Sequence, residues 1–138
     1  MTVYEIGAGG GYYTTILSKI VGPQGKVYAQ YSERFWDRAK ERAAPLFEKL
    51  GNVEATITDT EVIAAPENSL DFIMVALIWH HMHYNPDEGD AFPERSKTFL
   101  ANALKALKPG GVLGIVEHQA AEGSTRAEAA GWHRTPMQ

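Results

Sequence analysis

Three histidines crowd one short stretch, WHHMHYN at residues 79–85, and a second stretch ends on the pair Glu117–His118. Imidazole titrates near neutral pH, so His80, and His81 after it, are the first residues to consider for moving a proton. His80, His81 and His83, with Glu117 and His118, are also side chains of the kind that bind a metal ion. Adjacent histidines chelate poorly because their side chains diverge, so no metal is expected. A histidine-rich loop with no catalytic duty is the competing reading.

The second chemical signal is VYEIGAGGGYYTTIL, residues 3–17, in which an acid precedes alternating glycines as Glu5-x-Gly7-x-Gly9-x-Gly11. A strand, a glycine turn and a helix in succession bring bare backbone against a ligand at the strand's carboxyl end. The helix that follows aims free N–H groups at that ligand. A dinucleotide fingerprint would need a small residue at the sixth position, Tyr12, where tyrosine is too large for close helix–strand contact. Glu5 lies at a strand end where a lone carboxylate is costly, so it needs a partner, either within the fold or on the ligand.

These groups need a frame to hold them. Thr2–Ile6 mixes β-branched and aromatic residues and stops at glycine, which predicts a buried strand. Apolar residues at Tyr13, Ile16, Leu17, Ile20 and Val21 have the spacing of a helix with one buried face. Lys26–Gln30 is a second strand. Ser32 is placed to cap a helix turning Trp36, Ala39, Ala43, Phe47 and Leu50 inward, with Pro45 expected to kink or split it. Val53–Thr58 and Ser69–Leu77 are the third and fourth strands, the latter apolar enough to be covered on both faces. A polar loop over His80–Glu94 leads to a helix carrying Phe99, Leu100, Ala103, Leu104 and Leu107. KPGG at 108–111 reads as a turn, Val112–Glu117 as a fifth strand, and the rest as a tail without a strand. Alternating strands and helices predict an α/β, Rossmann-like, doubly wound and mostly parallel sheet of about five strands in the order 3-2-1-4-5. The expected division is a core over 1–118 and a tail over 119–138.

Composition narrows the partners. The chain has 138 residues, enough for one domain with a real core, and a net charge of −4 with no basic cluster, so nucleic acid is not an expected partner. Its longest apolar run, Phe72–Trp79, is far short of the roughly 20 residues that cross a bilayer. No cysteine is present, which fits a reducing compartment; the expected location is the cytoplasm.

The spacing of the glycine turn resembles motif I of the class I S-adenosylmethionine (SAM) methyltransferases. The likeness runs from Thr2 to His118: VEATITDTEVIAAPENSLDFIMV is similar to that family's third-to-fourth-strand stretch, and LKPGGVLGIVEH to its turn and fifth strand. It is nearest to a group of predicted bacterial methyltransferases, whose VYAQ strand and histidine after the fourth strand are echoed here. The resemblance implies SAM as cofactor, cradled by Gly7, Ala8, Gly9 and Gly11, with Glu5 helping to hold its positively charged amino end. It implies that Asp59, with Thr60 beside it, meets the adenine. The family usually has an acid after strand two to hold the ribose; Gln30 stands here instead, with Glu33 as a substitute. His80, then His81, falls where methyl group and acceptor meet, where a base is needed only if the acceptor must lose a proton.

The family's full sheet has seven strands, so this chain resembles a core truncated at both ends, without the closing C-terminal hairpin. Its fifth strand would then be an exposed edge, relieved by a homodimer or by the tail around Trp132. The acceptor is an unidentified small molecule or other group. The rivals to a methyltransferase are a SAM- or nucleotide-binding module without catalysis and, further off, an NADP-binding oxidoreductase.

Overall fold

The computed structural model describes residues 1–89 and 91–136. Five strands, β1 (Thr2–Ile6), β2 (Lys26–Tyr31), β3 (Val53–Ile57), β4 (Leu70–Ala76) and β5 (Leu107–Val116), form one sheet in the order β3-β2-β1-β4-β5. Every pairing among them is parallel, which bears out the expected order and topology. Helix α1 (Tyr12–Val21) links β1 to β2, α2 (Glu33–Leu50) links β2 to β3, and α3 (Glu94–Ala106) leads into β5. The β3–β4 connection contains no helix. The chain reverses its direction of travel across the sheet between β1 and β4, the point at which such sheets open a crevice at their carboxyl ends.

The core lies on both faces. Tyr4, Ile6, Ile73 and Val75 pack beneath Phe99 and Ala103 of α3, while Ala29 and Tyr31 pack against Ala43 and Phe47 of α2. Helix α2 turns the expected face inward and runs through Pro45 without being split. Ser32 stands at its N-cap but makes no side-chain cap bond.

Three details depart from the sequence reading. Helix α1 buries Thr14, Leu17 and Ser18, and leaves Ile16 and Ile20 exposed. The apolar stripe loses to polar contacts: Ser18 Oγ lies 2.6 Å from Asn52 Oδ1, whose amide nitrogen in turn donates to the Ser18 and Gly22 carbonyls. Leu104 likewise faces out from α3. KPGG is not a turn ahead of β5 but a bulge inside it: Leu70 pairs with Leu107 and Phe72 with Val112, so the extra residues loop out, with Gly110 at φ +82°. Such a bulge accommodates surplus residues while keeping pairing on either side.

The tail is ordered against the core. Thr125 and Glu128 form a reciprocal capping box that starts a short helix, α4 (Arg126–Gly131). The chain then turns back, so that Thr135 N–H donates to the His118 carbonyl and Ala120 N–H to that of Thr135. This pairing lies beyond β5. Among the described residues β5 pairs only with β4, and Trp132 is exposed, so the tail does not cover the free edge. Residues 137 and 138 of the expected tail lie outside the described residues.

Candidate active site

A cavity of about 700 Å³ opens at the carboxyl ends of β1 to β4, lined by Gly7, Gly9 and Gly10 on one side and by Thr60, Ile78 and His81 on others. That volume suits a nucleotide-sized ligand. Gly9 has φ +54°, and a Cβ built on it would meet nothing nearer than the Gly7 carbonyl at 3.9 Å, so a side chain there would project into open space. Gly11, at φ +81°, serves packing instead: its Cβ would stand 2.8 Å from Leu46 of α2. Tyr12 points outward and is 72% exposed, so the tight position after the turn is Gly11, and the steric objection raised against Tyr12 does not arise.

The other expected cofactor residues divide into those on the wall and those behind it. Ala8 N–H donates to the Gln30 carbonyl and the Ala8 carbonyl accepts from Gly11 N–H, so its backbone shapes the turn. Gln30 is 1% exposed with its amide engaged at both ends: Oε1 accepts from Gly7 N–H at 3.0 Å, and Nε2 donates to the Thr58 carbonyl at 2.6 Å. It borders the cavity but ties β1, β2 and β3 together. Glu33 is exposed and lies off the cavity wall. Thr60 is on the wall; Asp59 is an exposed neighbour whose carboxylate makes no hydrogen bond among the described residues.

Glu5 is buried beneath the first turn of α1, 2% exposed, and accepts a hydrogen bond from Thr14 Oγ1 at 2.5 Å. Burial pushes its carboxyl up to about 7, against the opposing pull of the Thr14 hydrogen bonds. No cation among the described residues pairs with it. The partner that Glu5 finds within the fold is thus a hydroxyl, not a cation.

Sequence reading missed the far wall. Phe35, Arg38, Ala39 and Arg42 of α2 line the cavity together with Arg95, and among the described residues no carboxylate lines it. Positions 35, 38, 39 and 42 follow the i, i+3, i+4, i+7 spacing of one helix face. That pattern was readable, but half of it is charged and so carried no apolar signal.

Beyond β4, Leu77 takes φ +59°, an unfavourable conformation for a leucine, and the chain coils into a 3-10 turn, Trp79–His81. His80 is buried. Its backbone N–H and its Nδ1 both reach Glu117 Oε2, at 3.1 and 2.7 Å, and its Nε2 lies 2.9 Å from His133 Nδ1. His81 is exposed and forms part of the cavity wall, whereas His80 stands behind it and does not line the cavity. Burial, followed by the neighbouring His80 and His133, holds the His81 imidazole below the ordinary histidine range. His83 is buried as well, with Nδ1 against the His80 carbonyl, where it braces the turn. His118 is exposed. The expectation that adjacent histidines diverge fails here: the His80 and His81 rings have centroids 4.1 Å apart, because the tight turn stacks successive side chains.

The residues fit SAM. Bare glycine backbone borders the cavity, arginines stand on its far wall, and a buried carboxyl with no cation beside it lies beneath the turn.

Comparison with known proteins agrees. No curated protein sequence matches the chain. Among solved structures, a SAM-dependent methyltransferase from Aquifex aeolicus is 32% identical, aligned over 93% of this chain and 63% of its own, with a TM-score of 0.69. A phosphoethanolamine N-methyltransferase from Haemonchus contortus, in complex with phosphoethanolamine and S-adenosylhomocysteine (SAH), is 22% identical over 91% of this chain and 25% of its own, TM-score 0.64. An arsenic(III) SAM methyltransferase from Chlamydomonas reinhardtii is 22% identical over 83% and 38%, TM-score 0.61. At that identity the last two speak for the fold alone. The chain spans less than two thirds of the length of each of these relatives. Among the described residues no helix is long and apolar enough to cross a membrane. The methyltransferase-domain family matches residues 4–115, a span that takes in the glycine turn, the cavity and the histidine turn, and the chain belongs to that family, within the class I SAM-dependent group.

Proposed function

We propose that the chain binds SAM in the cavity beneath the glycine turn and transfers its methyl group to an acceptor that enters at the His81 rim. The observation that carries this reading is the open space over Gly9, at the switch point of a sheet belonging to this family. SAM supplies an activated methyl carbon, so the protein's part is to bind, orient and exclude water. Gly9 and Gly10 leave room for the cofactor, Thr60 on the wall and Asp59 beside it would meet the base, and Glu5, buried beneath the turn, would supply a counter-charge. Gln30 holds the turn's shape from behind. His81 borders the space where the acceptor would sit.

Thermal unfolding with SAH, and with NADPH in parallel, tests the reading. A ligand at about 100 times its dissociation constant adds about 2.7 kcal/mol, a shift of several degrees for a domain of this size. SAH should raise the midpoint and NADPH should not, and Gly9→Val should abolish the SAH shift. A shift with NADPH alone would return the oxidoreductase. A shift with SAH but no transfer of labelled methyl to any acceptor would leave a binding module.

A homodimer through the free edge of β5 is part of the same proposal, supported by exposed Val112, Ile115 and Val116 on that strand; sedimentation equilibrium would test it. The absence of cysteine supports a cytoplasmic setting.

A further inference from the structure

We infer that His80, His81 and His133 form a binding site for one divalent cation of the zinc class, open toward the cavity. One nitrogen from each lies within 4.8 Å of the other two. Metal–nitrogen bonds of about 2.0–2.1 Å at tetrahedral angles put ligand atoms roughly 3.3 Å apart, so small ring rotations would close the set. The three donors are all imidazole nitrogens, which favours zinc, copper, nickel or cobalt over magnesium or calcium.

The surroundings match those of a metal-binding imidazole. An ionised carboxylate only accepts, so His80 Nδ1–H donates to Glu117 and the Nε2 lone pair is left directed at His133. A histidine oriented in this way by a carboxylate is the usual support for a metal ligand. His133 comes from the returning tail, held there by the Thr135 N–H bond to the His118 carbonyl. An imidazole–imidazole hydrogen bond between His80 and His133 would account for two of the rings. It does not account for His81, whose ring packs against both others, at 4.1 and 5.7 Å, with no side-chain hydrogen bond among the described residues.

Three protein ligands leave a fourth position open, as catalytic rather than structural zinc sites do. Because His81 lines the cavity, that position borders the acceptor's space. An acceptor hydroxyl or thiol bound there would lose its proton to water more readily. This use rests on the methyl-transfer reading; the cation site itself does not.

The test uses the full, untagged chain freed of metal. Cobalt(II) should bind one per chain with the strong visible absorption of four- or five-coordinate geometry. Zinc affinity, measured by competition with a chromophoric chelator, should fall at least tenfold in His133→Ala and in His81→Ala. It should fall about 10- to 100-fold in Glu117→Gln. His118→Ala, at an exposed histidine outside the cluster, should leave it unchanged. His133 and His81 are exposed, so neither alanine variant threatens the fold, which the metal-free unfolding midpoint would verify. No stoichiometric binding, or binding indifferent to His133→Ala, would overturn the site, whatever SAH does in the same protein.

Discussion

Glu117 Oε2 lies 2.7 Å from His80 Nδ1 and 3.1 Å from the His80 backbone nitrogen, so one oxygen at the end of β5 takes two bonds from a turn 37 residues upstream. Burial would push this carboxyl up, but hydrogen bonds from the His118 and His80 N–H groups and the His80 ring outweigh it and hold it below the ordinary range. The contact fixes the strand end, the turn and the imidazole tautomer together. Glu117→Gln keeps an acceptor but weakens both bonds, since bonds to a charged group are the stronger kind. We expect a loss of about 1–3 kcal/mol in chemical denaturation. In nitrogen NMR of the imidazoles, the His80 ring of this variant should no longer be held to the Nδ1–H form. An unchanged tautomer would show that the turn alone orients the ring.

Two glycines of one turn should fail in different ways. At Gly9, with open space around the missing Cβ, alanine carries only the cost of a left-handed conformation, about 1–2 kcal/mol, yet places a methyl group in the cavity. At Gly11 the same conformational cost is joined by a collision with Leu46 at 2.8 Å. Gly11→Ala should therefore be the less stable variant by urea titration, and Gly9→Ala the weaker binder of SAH by calorimetry. Equal losses of binding in both would mean that the turn acts only as a shape and not as a surface.

Gln30 was expected at the ribose, and its bonding gives a sharper expectation. Removing its amide leaves Gly7 N–H, on the cavity wall, and the carbonyl of half-buried Thr58 without this partner. Gln30→Ala should cost about 1–3 kcal/mol, the sum of two lost hydrogen bonds whose backbone partners water can still reach. SAH affinity at a temperature where the variant is folded should fall less than in Gly9→Ala. A variant that keeps its stability but loses binding would restore the ribose role.

The strand order and the glycine turn were legible because each rests on a local pattern: apolar runs that end in glycine, in β-α-β sequence. The buried face of α1 was not, because Thr14 faces Glu5 and Ser18 faces Asn52, and hydroxyl contacts leave no trace in an apolar period. KPGG looked like a turn since Pro and Gly punctuate turns and bulges alike; only the pairing of Leu107 with Leu70 tells them apart. The histidine cluster was half visible. His80 and His81 stood out by type, whereas His133 is joined to them by a return of the tail over 53 positions that no local spacing encodes.

Glu5 gives the last prediction its sign. Its folded carboxyl sits at about 7 while an unfolded glutamate titrates near 4.5, so between those values the folded chain binds more protons than the unfolded one. Stability from this group is thus full below about pH 4.5, falls as pH rises toward 7, and is then constant at a loss of about 3 kcal/mol. Glu5→Gln keeps a neutral partner for Thr14 and removes the ionisation. It should raise the unfolding midpoint by several degrees at pH 8 and change it little at pH 5, the reverse of what removing a stabilising acid does. If the same carboxylate answers the positive charge of SAM, cofactor affinity in the parent chain should increase as pH rises through 7, and the increase should vanish in the variant. A variant more stable at pH 8 with unchanged SAM affinity would leave Glu5 a buried acid with no part in binding.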